Sequence, residues 1–162
     1  MVIKEKGNKL MSDNHLQSYI QNHISDFYSF AFILLPDDLQ ANQLVVDAVG
    51  TLLVRHKALV TKWVNMPKGE FILNQHDVKR EFYRTLFELA EIRYHQVVQS
   101  LKEEEEKFEF YQLDLHKKAA LYLREKNDYP VELIGYIVDK STTEVLATLQ
   151  TARSNMINSL SL

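Results

Sequence analysis

Cysteine is absent from these 162 residues, which excludes disulfides, thiolate metal sites and cysteine nucleophiles together and closes every zinc-finger reading. The absence agrees with a reducing compartment, and a cytoplasmic location is expected. Only four glycines and three prolines punctuate the chain, and period-2 alternation is scarce beside long 3.6-period segments. An all-α architecture without a sheet is expected. Every apolar run is interrupted by charge well short of a bilayer span, and residues 1–15 carry no apolar core of the signal-peptide kind. No membrane partner is expected. Basic charge is not in excess either: the formal net charge is -3 and the sequence pI is about 6.1. That balance argues against a strongly basic nucleic-acid binder, although a net figure can hide a basic face opposite an acidic one. No catalytic constellation emerges. His15, His23, His56, His76, His95 and His116 are scattered, none forms a metal-binding i,i+4 pair with a nearby Glu, and there is no Gly-rich phosphate loop. Neither an enzyme nor a metal or other cofactor is expected.

What is present is a hydrophobic fraction of 46%, ordinary for a chain that buries a real core. Residues 1–13 are polar, with Lys4, Lys6 and Lys9, and read as a mobile tail. From residue 14 or 15, Leu16, Tyr19, Ile20, Ile24, Phe27, Tyr28, Ala31, Ile33 and Leu34 share a wide apolar helix face that ends at Pro36. Pro36, Asp37 and Asp38 form a turn whose acidic groups suit the positive end of the next helix, which runs through Leu39, Leu44, Val45, Ala48, Val49, Leu52 and Leu53. Beyond Arg55-His56-Lys57 the helix continues or bends through Val60, Trp63 and Val64. Trp63, flanked by apolar neighbours at helical spacing, reads as a core anchor rather than a base-stacking residue. Residues 65–69, NMPKG, are the clearest loop. A long helix is expected over 77–101, with Val78, Phe82, Leu86, Leu89, Ile92 or Arg93, and Val97 inward. Lys79, Arg80 and Arg84 share that helix with Phe82 and Tyr83 but also with Glu81, Glu88 and Glu91. Two readings stay open: a single-strand stacking surface or a solvated mixed-charge face. Residues 102–107, KEEEEK, form a charged joint, either a helix held by i,i+4 pairs or a flexible linker.

The densest information lies in residues 129–156, YPVELIGYIVDKSTTEVLATLQTARSNM. Val131, Leu133, Ile134, Ile137 and Val138 mark one short buried helix entered through Pro130. Asp139 and Lys140 break the period. Ser141-Thr142-Thr143-Glu144 then supplies a capping box, and Val145, Leu146, Leu149, Ala152 and Met156 follow as a second stripe. Two short helices joined by about four residues make a helix-turn-helix layout, which must dock on a third helix. Leu113, Leu115, Ala119, Ala120, Tyr122 and Leu123 provide it. Spacing alone is equally consistent with a generic helical hairpin.

Residue identity carries a resemblance. The stretch YPVELIGYIVDKSTTEVLATLQTAR is similar to region four of the extracytoplasmic-function sigma factors, with Glu132, Ile134, Val138, Ser141, Val145, Leu149, Ala152 and Arg153 in place. Upstream, FYSFAFILLPDDLQANQLVVDAV resembles sigma region two, through Tyr28, Ala31, Leu34, Leu35, Asp38, Ala41, Leu44, Val45 and Asp47. The two segments occur in the family's order. The long helix adds Phe82, Tyr83 and Arg84, which fit the start of the family's promoter-melting helix.

The resemblance implies two small helical domains, a region-two-like bundle at 14–101 and a region-four-like helix-turn-helix at 109–162, joined by a charged linker at 102–108. It implies a transcription initiation factor that binds core RNA polymerase and directs it to promoter DNA, with an anti-sigma factor as a further candidate partner. Polymerase contacts would come from Leu39, Asn42, Gln43, Val46 and Asp47. DNA contacts would come from Lys79, Arg80, Tyr83 and Arg84 on the long helix, and from Lys140, Ser141, Thr142, Thr143, Thr148 and Arg153 on the helix-turn-helix. The chain departs from the family's pattern where chemistry would occur. Its recognition helix carries Leu146, Thr148, Gln150 and Thr151 at usually basic positions, and only Lys140 and Arg153 remain cationic. Phosphate neutralisation supplies most non-specific DNA affinity, so the alternative is a sigma-fold interaction protein that has lost promoter reading.

Overall fold

The computed structural model of the chain describes residues 15–101 and 109–159. The expected tail at 1–13 and linker at 102–108 therefore lie outside the described residues. Helix is the only regular structure among the described residues, as the composition requires. Helix α1 (His15–Leu34) buries Leu16, Tyr19, Phe27, Phe30, Ala31 and Leu34 and stops ahead of Pro36, whose ring disfavours a helical residue before it. Asp37 then caps α2 (Asp38–Arg55). Its backbone is extended, and its carboxylate accepts the Gln40 N–H at 2.8 Å. Helix α3 (Lys57–Asn65) follows a break at His56, and its Trp63 is buried, a core anchor as its spacing indicates.

The expected loop at 65–69 is corrected to two residues, Met66 and Pro67. Helix α4 (Lys68–Leu101) begins at once, rather than at residue 77. Pro67 is suited to a helix entrance because its φ is preset and it has no N–H to satisfy, and its carbonyl accepts the Phe71 N–H at 2.8 Å. Phe71 is buried and meets Tyr19 of α1 edge-on at 5.9 Å. Burial of that ring holds the first turns of α4 on α1.

Downstream, α5 (Glu109–Gln112) is followed by α6 (Leu115–Leu121), capped by Asp114, whose carboxylate accepts the Lys117 N–H at 2.9 Å. A π-helical turn over Tyr122–Lys126 leads to α7 (Val131–Val138) and α8 (Thr142–Ser159). Asp139 adopts a left-handed conformation (φ 53°), and the Lys140 N–H donates to the Gly135 carbonyl at 2.9 Å. A Cβ on Gly135 would lie 2.5 Å from the Lys140 carbonyl oxygen, so the close approach needs glycine.

The core runs without interruption from the upstream helices into the helix-turn-helix. Phe27 of α1 stacks on Phe82 of α4 at 4.1 Å, while Tyr83 meets Phe27, Phe30 and Tyr129 edge-on at 5.6, 4.9 and 6.0 Å. Helix α4 packs on α1, α2 and α7. Lys118 of α6 is also buried. Its Nζ lies 3.4 Å from the Leu34 carbonyl at the end of α1 and 5.8 Å from the Tyr94 ring, placing a cation at the negative end of that helix.

Candidate interaction surfaces

Three surfaces hold the residues singled out in the sequence. The first is on α4. Lys79 pairs with Asp26 of α1 at 3.4 Å, Arg80 reaches Asp77 and Glu81 at 3.2 Å each, and Arg84 pairs with Glu88 at 3.0 Å. Tyr136 of α7 lies under both guanidinium groups, 4.8 Å from Arg80 and 4.5 Å from Arg84, and donates its hydroxyl to Glu81 at 2.6 Å. Burial and that bond raise the Tyr136 pKa. The Glu88 bond raises that of Arg84. Partial burial pushes the Asp26 carboxyl up, but bonds from His23 and Lys79 outweigh it, and its pKa is lowered. The expectation that Tyr83 contacts DNA is corrected: its ring is 0% exposed, and its hydroxyl accepts from Asn127 at 3.0 Å. An aromatic at this position fills the space between α1, α4 and the segment before α7. Lys79, Arg80 and Arg84 thus each have an acidic partner, and Arg80 and Arg84 also rest on the Tyr136 ring, so their cationic character is largely balanced in place.

The second surface is α8. Ser141 and Glu144 form the expected capping box: the Glu144 N–H donates to the Ser141 hydroxyl at 3.2 Å, and Glu144 accepts from the Ser141 N–H at 2.8 Å. The Ser141 bonds lower the Glu144 pKa. Lys140, Ser141, Thr142 and Thr143 are exposed at the positive end of the helix, Lys140 lying 3.8 Å from Glu144. Thr148 is half-buried, and Arg153 pairs with Glu125 across from α8. Arg153 lies thirteen residues beyond Lys140, about 20 Å along the helix, so the two cations do not form one patch. One flank of α8 carries Leu146, Gln150, Arg153 and Ile157, four exposed residues of which two are large and apolar, beside the outward Ala147, Thr151 and Ser154.

The third surface is the outward face of α2. Leu39, Val46, Leu53 and Val54 are 74%, 62%, 53% and 79% exposed. Leu39, Val46 and Leu53 are spaced seven apart and form one stripe along the helix. Beside it, Asn42 donates to the Asp38 carbonyl at 2.7 Å and Gln43 to Asp47 at 2.9 Å. Asp47, read in the sequence as a docking charge, pairs with Arg93 of α4. The roles of Arg93, Tyr136 and Glu81 were not legible in the sequence. Tyr136 alone offered a signal, as an aromatic off the apolar face of α7. Among the described residues no group of three or more His, Asp and Glu side chains is arranged to hold a metal ion. Comparisons with protein-family models, curated proteins and solved structures give no match.

Proposed function

We propose that this chain is a non-catalytic, cytoplasmic interaction protein of the sigma-factor kind, which docks on core RNA polymerase through α2 and contributes little promoter reading of its own. The observation that supports it best is the pairing of an exposed apolar stripe on α2 with a recognition helix whose exposed faces, Leu146, Gln150, Arg153 and Ile157 on one flank and Ala147, Thr151 and Ser154 outward, carry a single cation. A row of exposed large apolar side chains on one helix face suits a protein-binding surface. A helix offering duplex DNA so little positive charge releases few counterions. An anti-sigma factor is a second protein partner of the same chemistry.

The experiment is a pull-down of purified core RNA polymerase by the full chain, with Val46→Arg as the probe. Val46 is preferable to Asp47, whose reversal would also break the bond to Arg93. Retention of polymerase by the native chain and loss with Val46→Arg support the reading. No retention by the native chain, or equal retention by the variant, removes it.

One observation favours a second reading, a sigma factor that directs polymerase to promoter DNA. Lys140, Ser141, Thr142 and Thr143 are exposed at the positive end of α8, where a phosphate would be held. Duplex titration separates the two. With Lys140 and Arg153 as the α8 phosphate contacts, log affinity should fall with log salt at a slope of about -2. A slope several-fold steeper, with sequence-specific binding, would establish the second reading.

A further inference from the structure

The apolar stripe of α2 has an internal symmetry. Leu39 and Leu53 each lie seven residues from Val46, so the stripe reads the same from either end. Charge along the helix is the opposite of symmetric. Asp37 and Asp38 open α2, whereas Arg55 closes it and is followed by exposed His56 and Lys57. A parallel copy would set acid against acid. An antiparallel copy sets apolar against apolar and acid against base, and opposes the two helix dipoles as well.

We infer that the outward face of α2 is a self-recognition surface, on which a second copy of this chain docks antiparallel with the two-fold axis at Val46. Around that axis position n faces position 92 − n. Leu39 meets the partner's Leu53, Val46 meets the partner's Val46, and Asp37 approaches the partner's Arg55. Asn42 falls opposite the partner's Gly50, where no atom lies within 4 Å of the space a Cβ would take. The missing side chain lets the second helix come close. Self-complementarity of this kind is what an isologous two-fold contact requires. One helix pair buries less than the roughly 1,600 Å² of a standard interface, so the dimer is weak and concentration-dependent. It covers the same face that the proposed polymerase contact uses. The free chain would thereby hide its docking surface, and the two contacts exclude one another.

The test uses the purified full chain without polymerase, so its failure leaves the polymerase reading untouched, and the reverse. Sedimentation velocity should show a monomer–dimer equilibrium in the native chain and a shift to monomer for Val46→Glu, with unchanged helical circular dichroism. Arg55→Glu should weaken the dimer, and high salt should do the same. The cysteine-free sequence makes site-specific crosslinking clean. Under mild oxidation Val46→Cys should yield a disulfide-linked dimer, because each copy presents the residue on the axis, and Leu146→Cys on α8 should not. A chain that stays monomeric up to about 1 mM overturns the inference. A dimer that Val46→Glu leaves intact, or crosslinking at Leu146→Cys with none at Val46→Cys, overturns it equally.

Discussion

At the scale of single residues, the helix-turn-helix depends on one close approach and one charge. With a Cβ placed 2.5 Å from the Lys140 carbonyl oxygen, Gly135→Ala must push backbone rather than a flexible side chain. The expected loss is about 1–3 kcal/mol, in the range of overpacked sites, read from the denaturant midpoint. An unchanged midpoint would mean the α7–α8 turn is looser in solution. The charge is Glu144. Its folded pKa lies below the usual 4.5 because it accepts bonds from Ser141, so it favours the folded state above the unfolded value and loses that contribution as pH falls through the folded one. Side-chain carboxyl NMR should give Glu144 a lower midpoint in the native chain than in Ser141→Ala. Equal midpoints would show that the Ser141 hydroxyl bond does not persist, since alanine keeps the backbone N–H donor.

At the scale of elements, α7 is held to α4 by Tyr136, whose ring contacts two arginines and whose hydroxyl bonds to the buried Glu81. Tyr136→Phe keeps the ring and removes the bond. Tyr136 is part-exposed, so the expected loss is about 1 kcal/mol, with no change in the slope of denaturant unfolding. A neutral outcome would assign the α4–α7 contact to apolar packing alone. The contrast with α8 shows what a sequence makes legible. The capping box at Ser141 and Glu144 and the Asp37 cap are contacts between residues three apart, and local spacing states them directly. The apolar faces of α1, α7 and α8 follow from periodicity in the same way, except that Ile24 and Leu146, expected on those faces, are exposed at their edges. The bonds of Tyr136 to Glu81, Arg93 to Asp47 and Lys118 to Leu34 join residues 55, 46 and 84 positions apart, and no periodic signal encodes such pairs. Tyr83 misled for the same reason: an aromatic beside Arg84 has the composition of a stacking surface, and only the position of α1 makes it core. The start of α4 was displaced because Pro67 and Gly69 read as loop residues, whereas the burial of Phe71 extends the helix back to Lys68.

At the scale of the whole molecule, the described helices on either side of the charged joint share aromatic packing. Phe30 of α1 contacts both Tyr83 of α4 and Tyr122 of the π-helical turn, at 4.9 and 5.4 Å, and Tyr83 in turn meets Tyr129. Rings of this size each bury on the order of 150–250 Å², so separating the upstream helices from the helix-turn-helix would expose several at once. Replacing residues 102–107, KEEEEK, by a specific protease site tests whether that packing or the covalent connection keeps the parts together. After cleavage the two fragments should co-elute in size exclusion with helical content intact, because the contacts of Tyr83 and Tyr136 do not run through the joint. Phe30→Ala, a buried aromatic truncation costing about 3–5 kcal/mol, should let the cleaved fragments separate and should lower the stability of the uncut chain in a single transition. Fragments that part on cleavage of the otherwise native chain, each folded, would show two independent domains, the arrangement the sigma-factor resemblance implies. Co-elution would instead mean that the helix-turn-helix works as part of one body, with Arg80 and Arg84 of α4 committed to holding it.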